Sequence, residues 1–241
     1  MIAAEHLPGG DHRTLLLCDH ASAAVPDDVA IPPELLALHV GVDLGADPLT
    51  RALARAIDAP AILGTVSRLV IDLHRESDHP ALIPAVSDGH AIPGNRTADR
   101  ADRIARFHAP YHAAIRAQVR RDRPSLIVAI HSFTPRLATV GIDRPWHAGI
   151  LYGRDDRAAR IAIDRLRGQG IETGDNEPYS GRLLNATLNR HALAQGIASL
   201  SVEVRNDLIA DPAGVTRWTG ILADMIAAVR NGLALKGSAA Q

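Results

Sequence analysis

Leu126-Ile127-Val128-Ala129-Ile130-His131-Ser132-Phe133 is an unbroken aliphatic run that ends in an imidazole. Continuous apolar runs of this length mark strands buried on both faces, which belong to parallel sheets covered by helices. Open α/β sheets build their sites at the carboxyl ends of such strands. Two further stretches repeat the design. Leu15-Leu16-Leu17-Cys18 leads into Asp19-His20, and Leu200-Ser201-Val202-Glu203-Val204-Arg205 ends in a carboxylate beside a guanidinium. Two histidines and a glutamate at three strand ends point to a metal hydrolase rather than a passive domain.

The spacing around these runs predicts strands over 14–18, 61–63, 68–73, 126–130, 148–152 and 196–204. Helical periods cover 47–57, with Asp47 as N-cap and Pro48 in the first turn, then 97–121, 156–167 and 214–229. Pro110 should kink the second of these helices or start it afresh. Residues 76–97 read as a long irregular loop of the kind that carries function. Strands alternating with helices predict an α/β fold: one three-layer α/β/α domain over 1–241, with a mixed, mainly parallel central sheet and a frayed tail at about 236–241.

Bulk properties narrow the function. The 241 residues are 46% apolar but only 3% aromatic, so the core must be aliphatic. Lys and Arg number 26 against 27 Asp and Glu, a net charge of −1. That balance argues against nucleic-acid and anionic-membrane partners, and the expected partner is a small molecule. A lone cysteine, Cys18, precludes an internal disulfide and fits a reducing compartment. Neither a signal peptide nor a membrane span is read, so a cytoplasmic location is expected. Oligomeric state is left open.

His20 and His131 are the candidate metal ligands, since neutral imidazole is the commonest protein ligand for zinc. Each could instead serve a hydrogen bond within its loop. Ala23 occupies the place of a His-x-x-Glu glutamate, which leaves Asp43 as the best third ligand or else a turn aspartate. Glu203 lies within an apolar strand, where its charge needs an offset. It reads as a general base, or as the salt-bridge partner of Arg205. Arg68 and Arg75 offer planar forks for a substrate carboxylate, unless they merely flank a strand. His108 and His112 have metal-compatible helical spacing but lack the glutamate of a metalloprotease helix, so a surface or core role is predicted. His191 either lines the site or lies on a helix surface. Gly-x-Ser-x-Gly, phosphate-loop and dinucleotide-binding phrases do not occur.

In their order along the chain, these phrases resemble the N-formylglutamate amidohydrolase family. The similar stretches are Cys18 to Ser22, His39 to Gly45, Ser67 to Arg75, Val86 to Gly89 followed by Ile92-Pro93-Gly94-Asn95, His131 to Pro135, Leu151 to Asp155, Asp175 to Tyr179 and Glu203-Val204-Arg205. The family in turn resembles the zinc carboxypeptidase and aspartoacylase fold. The resemblance implies one zinc ion held by His20 and His131, Glu203 as catalytic base and Arg75 on the substrate carboxylate. Arg68, Arg205, His74, Asn95 and His191 complete the expected substrate-binding set. Two features depart from the family pattern. His74 stands where asparagine is usual, and the glutamate ligand after the first histidine is missing, so Asp43 is placed by position. The activity implied is hydrolysis of N-formyl-L-glutamate to glutamate and formate. Another N-acyl amino acid or short peptide as substrate, or a catalytically silent carboxylate-binding protein, are the alternatives.

Overall fold

The aliphatic run at 126–133 forms the middle of a seven-stranded sheet. The structure is a computed structural model and describes residues 2–137, 139 and 141–238. In chain order its strands are β1 (Ala4–Leu7), β2 (Thr14–Cys18), β3 (Ala61–Gly64), β4 (Val86–Ser87), β5 (His90–Ala91), β6 (Leu126–Phe133), β7 (Ala148–Leu151), β8 (Thr173–Asp175) and β9 (Ala198–Arg205). The short strands β4 and β5 pair as a separate hairpin, and the other seven follow the order β1-β3-β2-β6-β9-β7-β8. The inner strands β3, β2, β6 and β9 are parallel. β1 runs against β3, and the parallel pair β7 and β8 runs against β9. The sheet is therefore mixed and mainly parallel, as expected.

Helices cover both faces: α1 (Pro33–Leu36), α2 (Ala46–Ala56), α3 (Arg100–Arg103), α4 (Ala109–Asp122), α5 (Arg157–Gly168), α6 (Ala186–His191) and α7 (Pro212–Ser238). Successive side chains of a strand point to opposite faces, and the core divides accordingly. Leu16, Val128, Ile130, Leu200 and Val202 pack with Leu49 and Leu53 of α2, Ile163 of α5 and Trp218 of α7. Leu15, Leu17, Ile127 and Ala129 pack with Phe107, and with Tyr111 and Ile115 of α4. No described helix is long and apolar enough to cross a membrane.

Local structure departs from expectation in three places. Residues 69–73 are buried and Arg68 half-buried, but 68–73 form turns and irregular structure, not a strand. Ser67 O accepts from Val70 N at 2.9 Å and Ser67 Oγ from Leu69 N at 3.2 Å, local bonds that compete with a sheet ladder. Pro110 marks a fresh start, as expected. A π-turn at Ile104–His108 precedes it, with Ala109 N bonded to Ile104 O, and the proline falls in the first turn of α4, where no donor is needed. Asp47 does not cap α2. Gly45, at φ 81°, precedes the helix, and Asp47 instead accepts from Arg51 Nε at 2.8 Å. Helix α7 outruns the expected 214–229, and the frayed tail expected at 236–241 lies outside the described residues from 239 onward. Strands β1 and β8 were not anticipated: both are edge strands of four and three residues, too short to show a period.

Candidate active site

Sheet register brings the first pair of functional groups together. In the parallel β6–β9 ladder His131 stands opposite Glu203, and both project onto the same face. His20 follows the end of β2, the neighbouring strand on the other side of β6. Asp43 lies in the loop before α2, tied in by a bond from its amide to His20 O at 3.1 Å. Its carboxylate meets both imidazoles: Asp43 Oδ2 is 2.8 Å from His131 Nδ1 and 3.3 Å from His20 Nδ1. The far nitrogen of each ring rests on another carboxylate. His20 Nε2 is 2.8 Å from Asp72 Oδ1, and His131 Nε2 is 3.1 Å from Asp19 Oδ2.

This arrangement assigns protons. Carboxylates accept only, so each Nε2 carries hydrogen and donates to its aspartate. In a neutral ring Nδ1 then presents a lone pair, and two such lone pairs face Asp43 Oδ2. Three donor atoms facing one another need a cation or protons among them. His20, Asp43 and His131 all place one ligand atom within 4.8 Å of the others. A carboxylate behind each histidine is how metal-ligating imidazoles are oriented and made more basic. The donor set therefore fits a divalent ion of the zinc type.

Electrostatics agree. Burial and Arg68 oppose a charge on His20, but Asp72 and Asp43 outweigh them and raise its pKa. Burial likewise opposes a charge on His131, while Asp19 and Asp43 lift its pKa well above the ordinary value. Burial would raise Asp19, yet His74 and His131 hold it well below the usual carboxylate range. Asp72 is held down in the same way, by His20 and Arg68 against burial. The cluster thus draws in positive charge. Glu203 behaves oppositely: burial pushes its carboxyl up to about 7, with Asp43 adding to the rise and His131 opposing it.

These groups open into a cavity of about 340 Å³. His20, Asp43, Arg68, His74, Arg75, His131 and Glu203 all line it. Arg68 bridges Asp43 Oδ1 and Asp72 Oδ2, each at 3.1 Å. Arg75 Nε is buried without a hydrogen-bond partner, 3.5 Å from Asp72 Oδ2, and the side chain lines the cavity. His74 Nδ1 lies 3.1 Å from both Asp19 Oδ2 and Thr187 Oγ1.

Three expected substrate contacts are not among the cavity's lining. Arg205 turns to Asp207, with Nε at 2.8 Å from its Oδ1, and makes no pair with Glu203. Asn95 spends its amide on Leu69 O and Pro84 O at 2.8 Å and accepts from Arg103, so it braces the 82–95 loop. His191 is stacked in the interior against His112. Arg205 and Asn95 were read from neighbouring motif residues, and proximity in sequence did not decide the direction of their side chains.

Other participants escaped the sequence reading. Asp19 and Asp72 lie within the family-like stretches, and an aspartate beside a candidate ligand, as Asp19 is beside His20, is a usable signal. Asp19 Oδ1 also accepts from Tyr111 at 2.9 Å and Thr187 at 2.8 Å, so a fully buried carboxylate is saturated by hydrogen bonds. Tyr179, Ser201 and the His39–Asp88 pair, 3.0 Å apart, line the cavity too. His39, Asp88 and Tyr179 lie in the family-like stretches, but nothing there assigns them a role, and Ser201 lies outside them.

The family model that matches this sequence makes the chain an amidohydrolase. More narrowly, the chain belongs to the N-formylglutamate amidohydrolase family, whose model matches residues 12–210. Among solved structures it is similar to a gene product of Agrobacterium tumefaciens, with a TM-score of 0.88, 28% identity, and coverage of 98% of this chain and 96% of that one. It also shares its fold with an N-formylglutamate amidohydrolase from Ralstonia eutropha JMP134, at a TM-score of 0.73 and 20% identity, over 99% of this chain and 100% of that one. No curated protein matches the sequence significantly.

Proposed function

We propose that the chain is a single-domain, zinc-dependent amidohydrolase that converts N-formyl-L-glutamate to glutamate and formate. The observation that carries the reading is the convergence of His20 Nδ1 and His131 Nδ1 on Asp43 Oδ2, with a carboxylate behind each ring. His20, His131 and Asp43 would hold the ion, which when bound polarises an amide carbonyl and acidifies water. Glu203, with a carboxyl near neutrality, takes the proton of the attacking water and passes it to the leaving nitrogen as the C–N bond breaks. Arg75 grips a substrate carboxylate and so fixes the amide against Glu203. Arg68 neutralises Asp43 and Asp72 from the cavity side, and His74 adds a polar contact beside Arg75. Family membership supports the substrate class, and the cavity volume suits a molecule of this size. Cys18 is buried and unpaired, with its thiol pushed up by burial, which is compatible with a cytoplasmic setting.

Product release by the zinc-loaded protein tests the reading: formate from N-formyl-glutamate, acetate from N-acetyl-glutamate and free amino acid from dipeptides. N-formyl-glutamate should be strongly preferred. Equal rates on dipeptides would reject the deformylase assignment.

A further inference from the structure

Behind the wall that carries Arg75 lies a second group of histidines that the hydrolytic chemistry does not use. His108, His112 and His191 are each 2% exposed. His112 Nε2 is 3.1 Å from Leu73 O, and His108 Nε2 is 2.9 Å from Arg75 O. Carbonyls only accept, so both Nε2 atoms carry hydrogen. A neutral His112 then accepts at Nδ1, and His191 Nε2 donates to it across 2.9 Å. The His112 and His191 rings stack with an interplanar angle of 18°. The Nε2–H groups of His108 and His112 stand 3.1 Å apart, an arrangement tolerable between neutral rings and costly with a charged one. Burial accordingly holds all three below the ordinary imidazole value, His191 at about 4 and His112 at about 2. Next to the relay, Arg190 on α6 donates to Glu76. Residues 73–76, which present His74 and Arg75 to the cavity, are thus pinned at alternate carbonyls from the α4 side and by an ion pair from α6.

We propose that His108, His112 and His191 are positioning residues, a relay of neutral imidazoles that holds the 73–75 backbone so that Arg75 and His74 meet the substrate carboxylate. The inference rests on the proposed role of Arg75 as carboxylate clamp. The relay acts on substrate placement and not on the hydrolytic step.

His108→Leu removes the donor to Arg75 O, and His108→Gln returns one. Formate release from N-formyl-L-glutamate should show KM raised about tenfold in His108→Leu with kcat within about twofold, and parent-like values in His108→Gln. Zinc content measured on the same samples should be equal. His191→Phe keeps the stacked ring without the donor and should raise KM as well, which serves if the leucine variant does not fold. An active parent with unchanged KM in His108→Leu or in a folded His191→Phe overturns the relay, as does an equal KM rise in His108→Gln. A parent that releases no product from any N-acyl amino acid sinks the functional reading, and the relay with it.

Discussion

Glu203 and the two imidazoles do different work, and substitution separates them. Glu203 approaches the cluster from β9 and makes no bond to His20 or His131, so Glu203→Gln should keep zinc while kcat falls by about 10²–10⁴. Zinc analysis beside kinetics checks this, and loss of the metal would make Glu203 a ligand. The carboxyl value of about 7 also gives pH a direction. A general base works deprotonated, so kcat/KM should rise with pH and flatten above about 7. A bound cation favours the charged form and moves that midpoint down, never up. A profile that falls between pH 5 and 7 would contradict the role. The same shift has the opposite sign for folding. Without a cation, Glu203 holds a proton in the native state that the unfolded chain releases near its ordinary value. Its contribution is full below about 4.5 and is lost as pH rises through about 7.

Elements turn these residues into a site through a few fixed points. Gly45 is one: at φ 81° it turns the Asp43 loop into α2, and a Cβ there would lie 2.5 Å from Ile209 O. Gly45→Ala should cost about 1–3 kcal/mol and weaken zinc binding by displacing Asp43, read as a lower Tm together with a weaker zinc Kd. An unchanged zinc Kd would uncouple that turn from the metal site. The elements also explain which parts the sequence could reveal. Long buried strands such as β6 and β9 show themselves as aliphatic runs, and reactive residues at their ends follow directly. The 68–73 segment misleads because burial, not strand geometry, makes it apolar, while Ser67 supplies turn bonds that composition does not advertise. Asp43 was found by elimination, whereas Asp19 and Asp72 went unassigned because their partners come from segments up to 168 residues away. Asn95 and Arg205 lie in the right motifs, but their side chains bond elsewhere, Asn95 to Leu69 O, Pro84 O and Arg103 and Arg205 to Asp207.

The molecule as a whole gathers negative charge in its interior. Asp19, Asp43, Asp72 and Glu203 are all under 10% exposed around two histidines, with Arg68 and Arg75 on the cavity side. Such a cluster is costly without a cation, and an ion that binds only the folded chain stabilises it. At a thousandfold excess over Kd the gain is about 4.1 kcal/mol, roughly 10 °C in Tm for a chain of this length. Chelation should therefore lower Tm by that order, zinc should restore it, and Asp43→Ala should remove the response. A Tm indifferent to chelation would deny the ion a structural share. The most direct measurement is anomalous diffraction at the zinc edge from crystals of the zinc-loaded protein. The account predicts one strong peak about 2.0–2.1 Å from His20 Nδ1 and His131 Nδ1, with an Asp43 oxygen at similar range. Zinc found elsewhere, or His20 and His131 bound to each other's carboxylates with no peak between them, would contradict it.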